Sequence, residues 1–255
     1  MASTTRDAAN QEAYELLLPS GQEDIPKQGD TMGKEEQMLK PEGRPGDGLA
    51  KLAGLISAAV FLLVTWYAEL SNDPKQHGWF AIHPLLQSFS IALITYGILT
   101  LQPTSQPKTK AAGFARHHLA IFFIAFPSVT IGTFAVWYNK HLNGRDHFLS
   151  WHGTLGITCM LWITFQVLLG GGSVWFGGKA FGGGMKAKLL WKYHRLSGYL
   201  LFPLLLFTAH LGGAQSGWAT RNTSMGQRLI AYIIAPAVIL GAVYARIRLS
   251  KMKFF

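Results

Sequence analysis

Acidic residues nearly vanish from this chain after residue 48. Ten of the thirteen Asp and Glu lie in residues 1–48, which leaves Glu69, Asp73 and Asp146 for the other 207 positions. Charged residues make up 14% of the 255, against about 25% in soluble globular domains. That shortage excludes a large soluble core and fits a chain buried in lipid. Cysteine is almost missing as well. Cys159 stands alone, so an internal disulfide, a Cys-x-x-Cys-His haem attachment and a cysteine-ligated cluster are all excluded. The net charge of +10 has no basic stripe interleaved with exposed aromatics, so no nucleic-acid partner is expected.

What is present is hydrophobic and punctuated. Residues 1–48 are rich in Gly, Pro, Gln, Glu and Lys without an apolar period, and are expected to form a disordered cytosolic tail. They hold one stretch, Glu12 to Leu17, that resembles an acidic dileucine sorting signal. An endomembrane (ER, endosome or vacuole) is expected rather than the plasma membrane. Six apolar spans follow, approximately 49–70, 80–101, 118–138, 148–169, 193–211 and 229–247, each close to the ~20 residues that cross a bilayer. The domain reading is therefore a transmembrane domain over 49–250 and a short cytosolic tail over 251–255. The fold class is all-α, a six-helix transmembrane bundle. Trp66, Trp79, Trp137, Trp151, Trp191 and Trp218 lie near span ends, where aromatic belts sit. If the N-terminus is cytosolic, thirteen Lys and Arg fall on the inner side and five on the outer, a clear positive-inside bias. Both termini are then cytosolic. The Gly170–Gly184 stretch has no Gly-Lys-Ser/Thr ending, so it reads as a flexible connection and not a phosphate loop. Asn222-Thr-Ser is a glycosylation acceptor pattern on the expected outer side, close to a span.

Histidines mark the starts of the inner four spans. His83, His118, His152 and His194 are separated by 35, 34 and 42 residues, about one crossing plus one loop each. In an up-down bundle spans two and four begin on one side, and spans three and five on the other. Two pairs of imidazoles at two depths result, which is what two six-coordinate haems require. An ionisable residue within a span is a functional candidate by default. His117 lies beside His118, about 100° away around a helix, so one of the two faces the partner. Gly153 and Gly156 accompany His152, and Gly198 follows His194 by four residues. A glycine on the histidine face leaves room for a flat macrocycle.

The residues His83-Pro-Leu-Leu, Arg116-His-His118, Ser150-Trp-His-Gly153 and Tyr193-His-Arg-Leu-Ser-Gly198 together resemble the cytochrome b561 family, six-helix membrane proteins with two b haems. The likeness covers about residues 77–212 and is closer to the shorter, ferric-reductase-like members. It implies iron ligation by His83 with His152 and by His118 with His194. It also implies ascorbate as cytosolic donor, a ferric chelate or monodehydroascorbate as acceptor, and a homodimer in membrane lipid. Arg116 and Lys192, each two residues from an expected ligand, are the expected donor contacts. Two imidazoles on one iron leave no open position, so such a haem passes electrons. A carrier of protons or metal ions that uses intramembrane histidines is the rival reading. Against it, Glu69 is the one acid in any span, whereas carriers place acids near the midplane or show inverted repeats. A haem-bearing sensor without turnover is compatible with the same residues.

Overall fold

The computed structural model describes residues 42–102, 104 and 106–252. The tail up to residue 41, with its dileucine-like stretch, and residues 253–255 lie outside the described residues. Among the described residues every regular element is helical. Six helices are long and apolar enough to cross a membrane: α1 (Asp47–Leu70), α2 (Pro74–Leu101), α3 (Pro107–Leu142), α4 (Trp151–Gly172), α5 (Gly184–Gln215) and α6 (Met225–Ala245). The end at which α1 begins and α6 stops is called the inner end below.

Two helices start well before their apolar runs. The third span was expected from residue 118, but α3 begins at Pro107, so His117 and His118 sit three turns inside it. The added segment carries Lys108, Lys110 and Arg116. Long basic side chains let a helix protrude past the apolar zone because their charged ends reach water while their stems stay on apolar surface. Likewise α5 runs from Gly184 and passes a break at Leu190 before His194.

Three helices contain wide π turns, over His118–Ala125 in α3, Leu211–Gln215 in α5 and Ile230–Ile234 in α6. Two of these are followed within two residues by a proline, Pro127 and Pro236. Proline removes one backbone donor and its ring collides with the carbonyl four residues back. A π turn just ahead of it opens the hydrogen-bond ladder where that collision would fall. The wide turns beside these prolines are a feature of the fold.

Packing divides the bundle. α1 lies against α2 and α6, α2 and α3 pack closely, and so do α4 and α5, whereas direct contact between the α2–α3 and α4–α5 pairs is sparse. The inner end is tied by Arg246, which is 4% exposed. Its guanidinium donates to the Leu99 carbonyl at 3.0 Å and to the carbonyls of Asp47 and Gln102. Arg248 pairs with the Asp47 carboxylate, Arg44 donates to the Ala245 carbonyl at 2.6 Å, and Glu42 accepts from the Gln106 N–H at 2.6 Å. Residues 42–47, assigned above to the tail, are therefore held to the bundle. These bonds satisfy carbonyls that helix ends leave open. Arg246→Ala strands two of them, at Leu99 and Gln102, and the expected loss is about 2–4 kcal/mol, measurable as a lowered melting temperature in detergent.

The Gly170–Gly184 connection is structured. α4 continues to Gly172, and a tight turn covers Trp175–Phe181, with Phe176, Gly177 and Gly178 at φ of 53°, 66° and 73°. Trp175 lies so close on Gly171 that a Cβ there would fall 2.4 Å from the indole.

Candidate haem sites

Near the outer end the rings of His83 on α2 and His152 on α4 face one another, with centroids 5.9 Å apart and planes at 81°. Toward the inner end the ring opposite His194 on α5 belongs to His117 on α3, with centroids 6.3 Å apart and planes at 83°. A metal bound to one nitrogen of each ring at about 2.0–2.1 Å sets the centroids roughly 6 Å apart. Among the described residues no group of three or more His, Cys, Asp or Glu forms a metal site. Each pair therefore suits a metal that brings its own equatorial ligands, as the iron of a porphyrin does.

The back of each ring is fixed by the neighbouring helix. His83 Nδ1 lies 3.0 Å from the Gly132 carbonyl on α3, and His117 Nδ1 lies 3.3 Å from the Gly97 carbonyl on α2. His152 Nδ1 lies 2.8 Å from the Thr208 carbonyl on α5. His194 Nδ1 is turned toward the Gln166 carbonyl on α4 but falls short of hydrogen-bonding geometry. The α2–α3 hairpin thus exchanges histidine and carbonyl reciprocally, and in α4–α5 the bond is formed from His152. A carbonyl acceptor makes Nδ1 the protonated nitrogen and leaves the Nε2 lone pair for metal, the usual outer-shell device of metal-bound imidazole. Along each helix the ligand and the carbonyl that serves the other level are 14 or 15 residues apart. At 1.5 Å per residue the two levels are about 21 Å apart along the helix.

Expected pair His118/His194 is not what forms. His118 points the other way, its ring stacked on Phe114 and Phe122 at 5.8 and 5.4 Å. Its Nε2 accepts the Trp175 indole N–H at 3.0 Å, so that lone pair is already used. The hundred degrees between neighbours on a helix made the two exclusive; Gly97 and Trp175 decide between them. A Cβ at Gly97 would lie 3.6 Å from the His117 Cα, so the glycine lets α3 approach α2 on the His117 side.

A cavity of about 280 Å³ opens beside the inner pair, lined by His117, His118, His194, Gly170, Gly198 and Gln166 among others. Among the described residues, six of the seven buried side-chain polar atoms without a hydrogen-bond partner belong to its lining: Gln102 Oε1, both amide atoms of Gln166, Trp191 Nε1, His194 Nδ1 and Arg246 Nε. Buried polar atoms are normally satisfied, so this concentration marks a space shaped for a partly polar guest. A macrocycle with an apolar body and carboxylate side groups fits it. Its cations are Lys110, Arg195, Arg246 and Arg248. Arg116 and Lys192 do not line it. Arg116 donates to the Thr100 carbonyl at 3.3 Å, and the Lys192 ammonium sits 5.1 Å from the Tyr193 ring centre.

The glycines divide likewise. A Cβ at Gly156 or Gly198 would meet Thr208 Cγ2 at 3.9 Å or Gln166 Nε2 at 3.8 Å, ordinary van der Waals contact, so packing within the chain does not demand glycine at either. Gly153 instead sits in the first turn of α4, where its N–H donates to Ser150 Oγ. Two glycines that the histidine-face rule overlooked carry the rings: a Cβ at Gly170 would lie 2.7 Å from His194 Cε1, and one at Gly212 would lie 2.6 Å from His152 Cε1. Both stand in runs of glycine within apolar helices, where glycine costs about 1 kcal/mol relative to alanine. That cost was the available signal.

Residues 76–220, which include all four paired histidines, match the family described as Eukaryotic cytochrome b561. The transmembrane reductase CYB561D2 of Bos taurus is 29% identical over 193 residues, 74% of this chain and 84% of its own length. With six helices able to span a bilayer, two facing imidazole pairs and that match, the chain belongs to the cytochrome b561 family, integral multi-pass membrane oxidoreductases that transfer electrons across the membrane through haem b.

Proposed function

We propose that this protein moves electrons from ascorbate at its inner end to a ferric chelate or monodehydroascorbate at its outer end, through two b haems ligated by His117 with His194 and by His83 with His152. The observation that carries this reading is the repetition of one geometry at two depths: facing imidazoles near 6 Å, with three of the four rings hydrogen-bonded to a carbonyl of the neighbouring helix. A haem held at each level by its facing pair of histidines would supply a one-electron couple.

The protein's own residues do the rest. The carbonyls of Gly132, Gly97 and Thr208 hold His83, His117 and His152 in the tautomer that would leave Nε2 for a haem iron. Lys110, Arg195, Arg246 and Arg248 give the inner cavity a positive field, which concentrates an anionic donor. The Lys/Arg bias supports a cytosolic inner end, and a cytosol-negative potential then favours outward transfer by about 2.3 kcal/mol per 100 mV.

In detergent, ascorbate should produce b-type bands from two haems per chain, and vesicles loaded with ascorbate should reduce an external ferric chelate. A colourless protein, or one haem per chain, overturns the reading. Lys110→Gln with Arg195→Gln is expected to raise the KM for ascorbate several-fold, more so at low ionic strength because salt screens exposed charges, with haem content retained. An unchanged KM removes these cations from donor capture.

A further inference from the structure

The acids within the six helices are Asp47 at the inner end of α1 and Glu69 at its outer end, and Glu69 is the most enclosed ionisable group among the described residues. Glu69, at the outer end of α1, is 0% exposed. Both its oxygens are engaged: Oε1 lies 2.8 Å from His77 Nδ1, and Oε2 accepts the Trp218 indole N–H at 2.7 Å. His77 belongs to the short first turn of α2, and its side chain is 24% exposed. Phe80 connects the pair to the outer haem site, its ring centred 6.1 Å from His77, 6.0 Å from His83 and 6.4 Å from Trp218.

We propose that Glu69 and His77 form a proton-loading site of the outer haem: as an electron arrives there, His77 binds one proton from the outer aqueous phase. This rests on the outer haem assignment above. With Nδ1–H donated to the Glu69 carboxylate, the His77 Nε2 lone pair remains to take the proton. No covalent bond between heavy atoms changes. The electron comes from the inner haem, the proton comes from water, and imidazole becomes imidazolium beside a carboxylate that stays charged. Two N–H donors converge on the carboxylate, and a carboxylate–imidazolium pair is neutral as a unit, which suits a low-dielectric site better than either ion alone.

Proximity makes the coupling effective. The His77 ring is at most about 12 Å from the His83 ring. An added electron within roughly 15 Å, at an effective dielectric of about 20, changes proton affinity several-fold. Other ionisable groups on the adjoining segments are Asp73 and Lys75 beside His77, Arg221 and Arg228 on the chain around Trp218, and His83 and His152 at the metal site. Asp73 accepts from Gln76, and Arg228 donates to the Thr223 carbonyl. Among the described residues the ion pair of Glu69 is with His77. A purely structural tie between α1, α2 and the 217–222 helix would hold these segments together equally well, but it would not respond to the redox state of the haem.

The test is redox titration of the outer haem in the full-length holoprotein from pH 5 to pH 8, for wild type, Glu69→Gln and His77→Gln. Both variants keep a hydrogen-bonding amide in place of the ionisable group. The wild-type outer potential should fall as pH rises, by a total equivalent to a several-fold change in the couple. That slope should disappear in both variants while the spectrum and the two-haem content persist. A pH-independent wild-type potential, or a slope that survives in both variants, overturns the proposal. If Glu69→Gln fails to fold, His77→Gln alone decides it. Absence of the outer haem in wild type would instead sink the electron-transfer reading on which it rests.

Discussion

His117→Ala should empty the inner site, taking the purified protein from two haems per chain to one, whereas His118→Ala should keep both. The two residues are neighbours, yet their surroundings differ in kind. His117 faces His194 at 6.3 Å and has its Nδ1 backed by the Gly97 carbonyl. His118 is sandwiched by Phe114 and Phe122 and receives the Trp175 N–H on Nε2. Removal of His117 would leave the proposed inner haem with one histidine and delete the hydrogen bond to the Gly97 carbonyl on α2. Removal of His118 costs packing and one hydrogen bond, about 1 kcal/mol. Haem-to-protein ratio and the ascorbate-reduced spectrum read both outcomes. Haem loss in His118→Ala with retention in His117→Ala would reverse the assignment.

The second large effect comes from a single methyl group. Gly212→Ala should remove the outer haem, and Gly170→Ala the inner one, each leaving about one haem per chain. The Cβ at 212 would stand 2.6 Å from His152 Cε1 and 2.9 Å from its Nδ1. The ring cannot simply turn aside, because its Nδ1 is bound to the Thr208 carbonyl at 2.8 Å. At 170 the new Cβ would stand 2.7 Å from His194 Cε1 and 3.1 Å from Nδ1. Such distances require the ring or the helix to shift, and a ligand displaced by part of an ångström no longer meets its partner across one iron. Gly241→Ala is the control. Nothing lies within 4 Å of a Cβ there, and alanine is the better helix former, so haem content should be unchanged. Two full haems in Gly212→Ala would show that the outer ring tolerates more movement than this packing allows.

Much of the architecture is legible in one dimension. A shortage of acid, six runs of about 20 apolar residues and aromatic residues at their ends depend on solvation by lipid, which acts on composition and length. The same holds for the two levels of histidine: an up-down chain with one histidine per crossing places alternate ones together whatever the details. Helix boundaries were less legible. The basic start of α3 and the residues just before α1 looked like loop and tail by hydropathy, yet one extends the helix past the apolar zone and the other is pinned through Arg44 to Asp47 and Ala245 and through Glu42 to Gln106.

What the sequence by itself determined, then, is that imidazoles meet in pairs at two depths of a membrane bundle. Only the tertiary structure decided which imidazole. The choice between His117 and His118 is an angle about the α3 axis, fixed by the close approach of α2 at Gly97 and by the Trp175 indole that engages His118. The same is true of Gly170 and Gly212, which touch histidines 24 and 60 residues away along the chain. Hydropathy and spacing act along one segment, whereas ring orientation depends on distances between segments, and these exist only after the helices pack.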